Sequence, residues 1–214
     1  MSDYKNIKLE INKEQPLDEV VVICDVKCKI DNVLDKQYFL WKDVVKRCLD
    51  SRFKEKYPTY KDCTISDEWL RYSNFKNDIS NMVGFGEVGF QIDKDLIVRG
   101  NKHYSIETCC FLPHEINTFL AFKKKNKGKY PVGVNFNKRA GLFVAKISMD
   151  NKRHDLGYFK NPIDAHLRYK EQKELHAKVL AERWRSKISV KAYESLMNFE
   201  VIDTTLAELK EMKL

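Results

Sequence analysis

Three runs between Val132 and Phe159 alternate apolar and polar side chains, a period of two that suits a strand and defeats a helix. They are Val132–Phe136, Leu142–Ile147 and Arg153–Phe159, separated by Asn137-Lys138-Arg139-Ala140-Gly141 and by Met149-Asp150-Asn151-Lys152. Turns this short predict a three-stranded antiparallel meander. Pro162 suits the first turn of a following helix, whose Ala165, Leu167, Tyr169 and Leu175 are expected to cover one face of the sheet.

Charge sets this stretch apart from the rest. Residues 122–187 carry 18 basic and 6 acidic side chains, net +12, whereas residues 1–121 carry 18 and 20 and residues 188–214 carry 3 and 5. A cluster of one sign attracts phosphate backbones, while an ordinary solvated face mixes both signs. The composition is that of a folded chain, at 43% hydrophobic and 12% aromatic. No apolar run reaches the ~20 residues of a membrane span, and residues 1–14 lack the apolar core of a secretory signal. Six cysteines without such a signal predict thiols in a reducing, intracellular compartment.

In the N-terminal part, Ile7–Ile11 alternates like a short strand and Val20–Cys24 reads as a buried one. Cys24 and Cys28 form a C-x3-C pair, with no second close pair to complete a four-ligand zinc site. A helix is expected from Gln37 to about Tyr57 on the period of Phe39, Leu40, Val44, Val45, Cys48 and Leu49. A second is expected from Ser66, its N-cap, to about Met82. Trp41, Trp69 and Phe75 are expected in the core. Gly84–Gly89 (GFGEVG) matches neither phosphate-loop nor dinucleotide spacing.

Residues 90–117 suggest two strands, a polar loop and a helix opened by Pro113. Acids at Asp93 and Asp95 and an amide at Asn117 suit one divalent cation held through oxygen, and equally suit a structural turn.

Residues 38–120 resemble phage-encoded HNH-related proteins through Trp41-Lys42, Arg47-Cys48, Tyr60-x2-Cys63, Trp69, Ile92-Asp-Lys-Asp95, Gly100-Asn-Lys102 and Tyr104-Ser-x2-Thr-Cys109. Residues 130–170 resemble the AP2 DNA-binding domain through Gly133-Val, Ala145-x-Ile147, Leu156-Gly-x-Phe159 and Ala165-x3-Tyr169. The pairing of the two is that of phage homing endonucleases. It implies an α+β chain: residues 1–121 form an HNH-like ββα-metal (His-Me finger-like) module with flanking helices, and 122–129 a basic linker. Residues 130–187 then form an AP2-like sheet plus helix, and 188–214 a helical tail that packs on the body or on a second subunit.

The resemblance implies metal-dependent hydrolysis of double-stranded DNA with Mg²⁺ or Mn²⁺, Asp93 and Asn117 being the metal ligands. It also exposes two departures. Lys94 stands where the family has its general-base histidine, and Thr108 where it has an intermediate asparagine. An ammonium has no lone pair to accept water's proton, and losing a general base costs ~10²–10⁴ in rate. Asp95 and His103 are the candidate substitutes. The other reading is a non-cleaving DNA-binding protein, with Lys94 contacting phosphate, that acts as a phage regulator or as an inhibitor of a host DNA-processing or defence enzyme. Cys48, Cys63 and Cys109 could surround a structural zinc, though core thiols are the expectation.

An AP2-like sheet is expected to enter the major groove. Asn135 and Asn137 would read adenine and Arg153 guanine, while Lys138, Arg139, Lys146, Lys152 and His154 meet bases or phosphates. The linker lysines from Lys123 to Lys129 would add backbone charge.

Overall fold

In the computed structural model, a hairpin of two-residue strands, β1 (Lys29–Ile30) and β2 (Val33–Leu34), leads into Asp35, the cap of helix α1 (Lys36–Leu49). Its carboxylate accepts from Gln37 N (2.7 Å) and Tyr38 N (3.2 Å) and pairs with Lys76 at 2.7 Å. Burial pushes this carboxyl up, but those bonds outweigh it and hold it below the usual range. The structure describes residues 20–30, 33–121, 130–150 and 152–202. The strand expected at Ile7–Ile11, the linker lysines and the end of the expected helical tail, from residue 203 on, lie outside them.

The described residues form two units. The first runs to Pro113 and takes in Lys187–Ser189. After α1 it contains α2 (Ser51–Lys56), β3 (Thr64–Ile65), α3 (Tyr72–Asn81), β4 (Phe90–Asp93), β5 (His103–Tyr104) and β6 (Cys110–Pro113). Strand β3 pairs in parallel with β5, and β4 antiparallel with β6. Trp41, Val44, Trp69, Tyr72, Phe75 and Ile79 are fully buried in its core. The two indoles are satisfied there, Trp41 Nε1 by Trp69 O (2.7 Å) and Trp69 Nε1 by Asp78 (2.8 Å). Cys48, Cys63 and Cys109 share this core, and burial pushes the thiols of Cys48 and Cys109 up to about 12.

Both long helices expected here are interrupted. The one expected over residues 37–57 breaks at Asp50, which is extended (ψ 110°). Its N–H closes α1 on Lys46 O while its carboxylate opens α2 by accepting from Phe53 N at 2.8 Å. The one expected from Ser66 opens as a 3-10 turn at Glu68–Leu70, and α3 starts only at Tyr72. Ile23 causes the gap: it donates to Leu70 O and accepts from Tyr72 N, both at 2.9 Å, holding Arg71 extended in a parallel bridge. The buried strand expected at Val20–Cys24 amounts to that one bridge.

The second unit takes the described residues from His114 to Ser186 and from Val190 on. Helix α4 (His114–Leu120) comes first, then β7 (Val134–Asn137), β8 (Leu142–Met149), β9 (Lys152–Phe159), α5 (Pro162–Trp184) and α6 (Val190–Met197). The sheet order is β7-β8-β9, antiparallel throughout, as the alternation predicts. Asn161 caps α5 by accepting from Ile163 N at 2.7 Å, with Pro162 in the first turn.

Val134, Ala145, Ile147, Ala165, Tyr169 and Val201 form the core between sheet and helix. Gly133 makes this packing feasible. It sits at φ +82°, and a Cβ there would lie 2.1 Å from the Tyr169 ring. Leu167 and Leu175, expected to cover the sheet, are instead 51% and 52% exposed. At 100° per residue, Leu167 lies about 200° around α5 from Ala165, so both cannot face the sheet. Ala165, Tyr169, Lys173, His176, Ala177 and Leu180 form the buried face instead.

Helix α4 is fastened to α5 within this unit. Glu115 accepts from Arg183 and from Trp184 Nε1. The Lys173 ammonium donates to Phe119 O at 2.6 Å and stands 3.6 Å from the centre of the Phe119 ring. Among the described residues no helix is long and apolar enough to cross a membrane.

Candidate nucleic-acid interface and candidate metal site

Register decides which side chains of the meander share the face away from α5. Phe143, Ala145, Ile147 and Met149 belong to the helix-side core, so Leu142, Lys146, Ser148 and Val144, itself buried among its neighbours, point the other way. Their partners join them: Asn135 and Tyr158 beside Val144, Asp155 beside Lys146, and Arg153 beside Ser148. The register shifts between Ala145 and Lys146, leaving Leu156 as an extra residue in β9. Gly157 takes φ +134° at this bulge, a region that favours glycine. Leu156 therefore packs on the core, and Tyr158 reaches the open face, 51% exposed.

Asn135, Lys146 and Arg153 are thus brought together on one face. Lys138 and Arg139 are exposed on the turn between β7 and β8. Lys152 and His154 are exposed too, but they pair with Met149 and Ile147, on the parity of the helix side. Asn137 is turned to local use: its Oδ1 accepts from Arg139 N and Ala140 N, both at 3.1 Å, shaping the hairpin turn. Lys146 is not a lone cation, since its ammonium lies 3.4 Å from the Asp155 carboxylate. Sequence reasoning missed Tyr158 and Asp155. The Leu156-Gly157 pair was the signal, because a bulge reverses the parity of everything beyond it.

The strand–loop–strand stretch around residues 93–108 is knit together instead. Asp93 Oδ1 accepts from Asp95 N (2.9 Å) and Leu96 N (2.8 Å). Burial raises its carboxyl above the usual range despite those N–H groups. Lys94 is only 6% exposed. Its ammonium donates to Asp95 Oδ1 at 2.7 Å and to Asn101 O at 3.2 Å, and lies over the Tyr104 ring. The contact with phosphate expected of Lys94 is therefore corrected, because the ammonium points into the protein and is already bonded.

Asn101, which sequence reasoning passed over, ties the loop. Its amide nitrogen donates to Lys94 O (2.8 Å) and His103 O (2.6 Å), and its oxygen accepts from His103 N (3.0 Å). Its signal was the Gly100-Asn101 turn, where an asparagine bonds nearby backbone. Thr108 Oγ1 donates to His103 O at 2.7 Å and accepts from Ser105 N at 3.2 Å. His103 Nδ1 bonds the Thr64 hydroxyl at 2.9 Å, and Asp95 is engaged by Lys94.

Asp93 belongs to the first unit and Asn117, half-buried on α4, to the second. Among the described residues, no group of three or more His, Cys, Asp or Glu is arranged to hold a metal ion.

Compared with known proteins, the chain matches no protein-family model, no curated protein and no solved structure.

Proposed function

We propose that this chain is a double-stranded DNA-binding protein of the phage HNH/AP2 homing-endonuclease type, with a silent cleaving half. In this reading the open face of β7-β8-β9 enters the duplex groove. The observation that carries it is the register, which gathers Asn135, Lys146 and Arg153 on the face opposite α5, with Lys138 and Arg139 exposed at its tip. Residues 122–187 also hold a net charge of +12, from 18 basic and 6 acidic side chains. Asn135 and Arg153 then offer base contacts, and the lysines with Arg139 offer phosphate contacts. Such a protein works with DNA in the cytoplasm of a host cell, as a regulator or as an inhibitor of a host DNA enzyme.

The silent half rests on Lys94. A buried ammonium bonded to Asp95 and Asn101 O has no lone pair for water's proton, and it occupies the carboxylate nearest to replacing it.

Gel-shift titration against a mixed-sequence duplex at several salt concentrations tests binding. Incubation of supercoiled plasmid with Mg²⁺ or Mn²⁺ tests cleavage. Salt-sensitive binding without nicking is the expected result. Nicking abolished by Asp93→Ala and Asn117→Ala would instead establish a metal-dependent endonuclease, with Asp95 or His103 as its base.

A further inference from the structure

Across the three strands of the meander there is one carboxylate, Asp155. Register sets it on the open face directly across from Lys146, with Arg153 two residues away on the same strand and same face. The ammonium–carboxylate distance is 3.4 Å, and both side chains are close to half exposed. An acid in this position is costly to a surface that receives phosphates. It repels them, and it neutralises the one lysine at the middle of the central strand.

We propose that Asp155 is a brake on backbone binding: it holds Lys146 in an intramolecular ion pair, so that the sheet grips duplex backbone weakly unless base contacts supply the rest. This rests on the reading of the open face as the DNA-binding surface. Phosphate contacts carry no sequence information, whereas base contacts do. Removing one phosphate contact from every encounter therefore lowers binding to all duplexes alike. Discrimination is left to Asn135 and Arg153. The Lys146–Asp155 pair is exposed enough to exchange partners, because opposite charges paired across strands attract only weakly in water. Lys146 is thus restrained, and a well-placed acceptor on DNA can still draw it away.

The test is a double-mutant cycle on the full chain, with a random-sequence duplex of about two helical turns as the probe. Asp155→Asn keeps the shape and removes the charge. It should steepen the slope of log K against log salt by about 0.9, one released counterion. Affinity at 0.1 M salt should rise by up to about tenfold for the same reason. In a Lys146→Gln background the same change should leave the slope unaltered, because no cation remains to be released. Asp155→Ser serves as a second neutral variant, and circular dichroism verifies that each variant is folded.

An unchanged slope in Asp155→Asn would overturn the brake. So would an equal steepening in the Lys146→Gln background, which would mean general repulsion. Wild-type protein that binds no duplex even at low salt would sink the reading of the sheet itself. That outcome is separate from a wild type that binds but ignores Asp155.

Discussion

The open face of the meander and the loop at residues 93–108 are both polar surfaces built on short strands, but they dispose of their hydrogen bonds oppositely. In the loop, Asp93, Lys94, Asn101 and Thr108 spend their donors and acceptors on one another and on nearby backbone. On the sheet, Asn135, Arg153 and Tyr158 stand exposed, and the one ion pair, Lys146–Asp155, lies in reach of solvent. The backbone of a sheet is satisfied by its own ladder, so its side chains are released for a partner. A loop has no ladder, so its side chains must hold the chain in place. The same residue types are therefore left open to solvent in one place and hold the fold in the other.

The sharpest break of that contrast is the triple variant Lys138→Ala, Arg139→Ala, Arg153→Ala. Two lost phosphate contacts and one lost base contact should weaken duplex binding by about 10²–10³-fold at 0.1 M salt and flatten the salt slope by roughly 2. Asp93→Ala with Asn117→Ala should leave the same titration unchanged. If the second pair weakens binding as much as the first set, the division of labour is wrong.

Gly133→Ala comes next. The methyl group would meet the Tyr169 ring at 2.1 Å on a backbone at φ +82°. A cost of about 3 kcal/mol to the second unit is expected, read from hydrogen exchange on β8. The first unit's amides should be unaffected. This glycine also explains what could be read in advance. The residues that gave the AP2 resemblance, Gly133, Ala145, Ile147, Leu156, Gly157, Phe159, Ala165 and Tyr169, are those that bulge the sheet and pack it on α5. Such residues announce a fold, and the meander was legible because a period of two leaves few alternatives. They do not read bases.

What stayed hidden depended on contacts distant in sequence. Ile23 interrupts the helix expected from Ser66 by claiming the backbone on either side of Arg71, and nothing local to residues 66–82 betrays that. The break at Asp50 was locally marked, by an Asp-Ser pair able to cap a new helix, but the apolar period ran through it. Lys94 was legible as the wrong residue for a general base. Its burial and its bond to Asn101 O were not, because they depend on a loop closing seven residues later.

Asn101→Ala probes the loop side of the comparison. It removes two donated bonds and one accepted bond that join the backbones of Lys94 and His103. A loss of about 2 kcal/mol in the first unit's stability is expected by denaturant titration, with duplex affinity unmoved. Affinity falling in step with stability would mean that the loop, too, meets DNA.

The smallest effect concerns the one buried cation of the second unit's helix face, Lys173. Burial pushes its ammonium down from 10.5 to about 8 in the folded protein. Between those values the unfolded chain holds the proton and the folded chain has released it, so the stability of the second unit must rise with pH there. Below pH 8 both forms are protonated, and the penalty of burying the charge is present in full. The gain between pH 8 and 9 should be about 1 kcal/mol, given a slope of at most ~1.36 kcal/mol per pH unit for one proton. Thiols oppose it at higher pH: Cys24 is pushed up to about 11 by burial and by Cys28, and so loses stability as it ionises. All six cysteines lie in the first unit, which makes the difference between wild type and Lys173→Met, followed on β8, the clean measurement. Lys173→Met keeps the aliphatic stem against Phe119 and gives up the bond to its carbonyl. It should show no rise between pH 8 and 9. A rise equal to the wild type's would assign the proton to another group and leave Lys173 as a plain structural contact between α4 and α5.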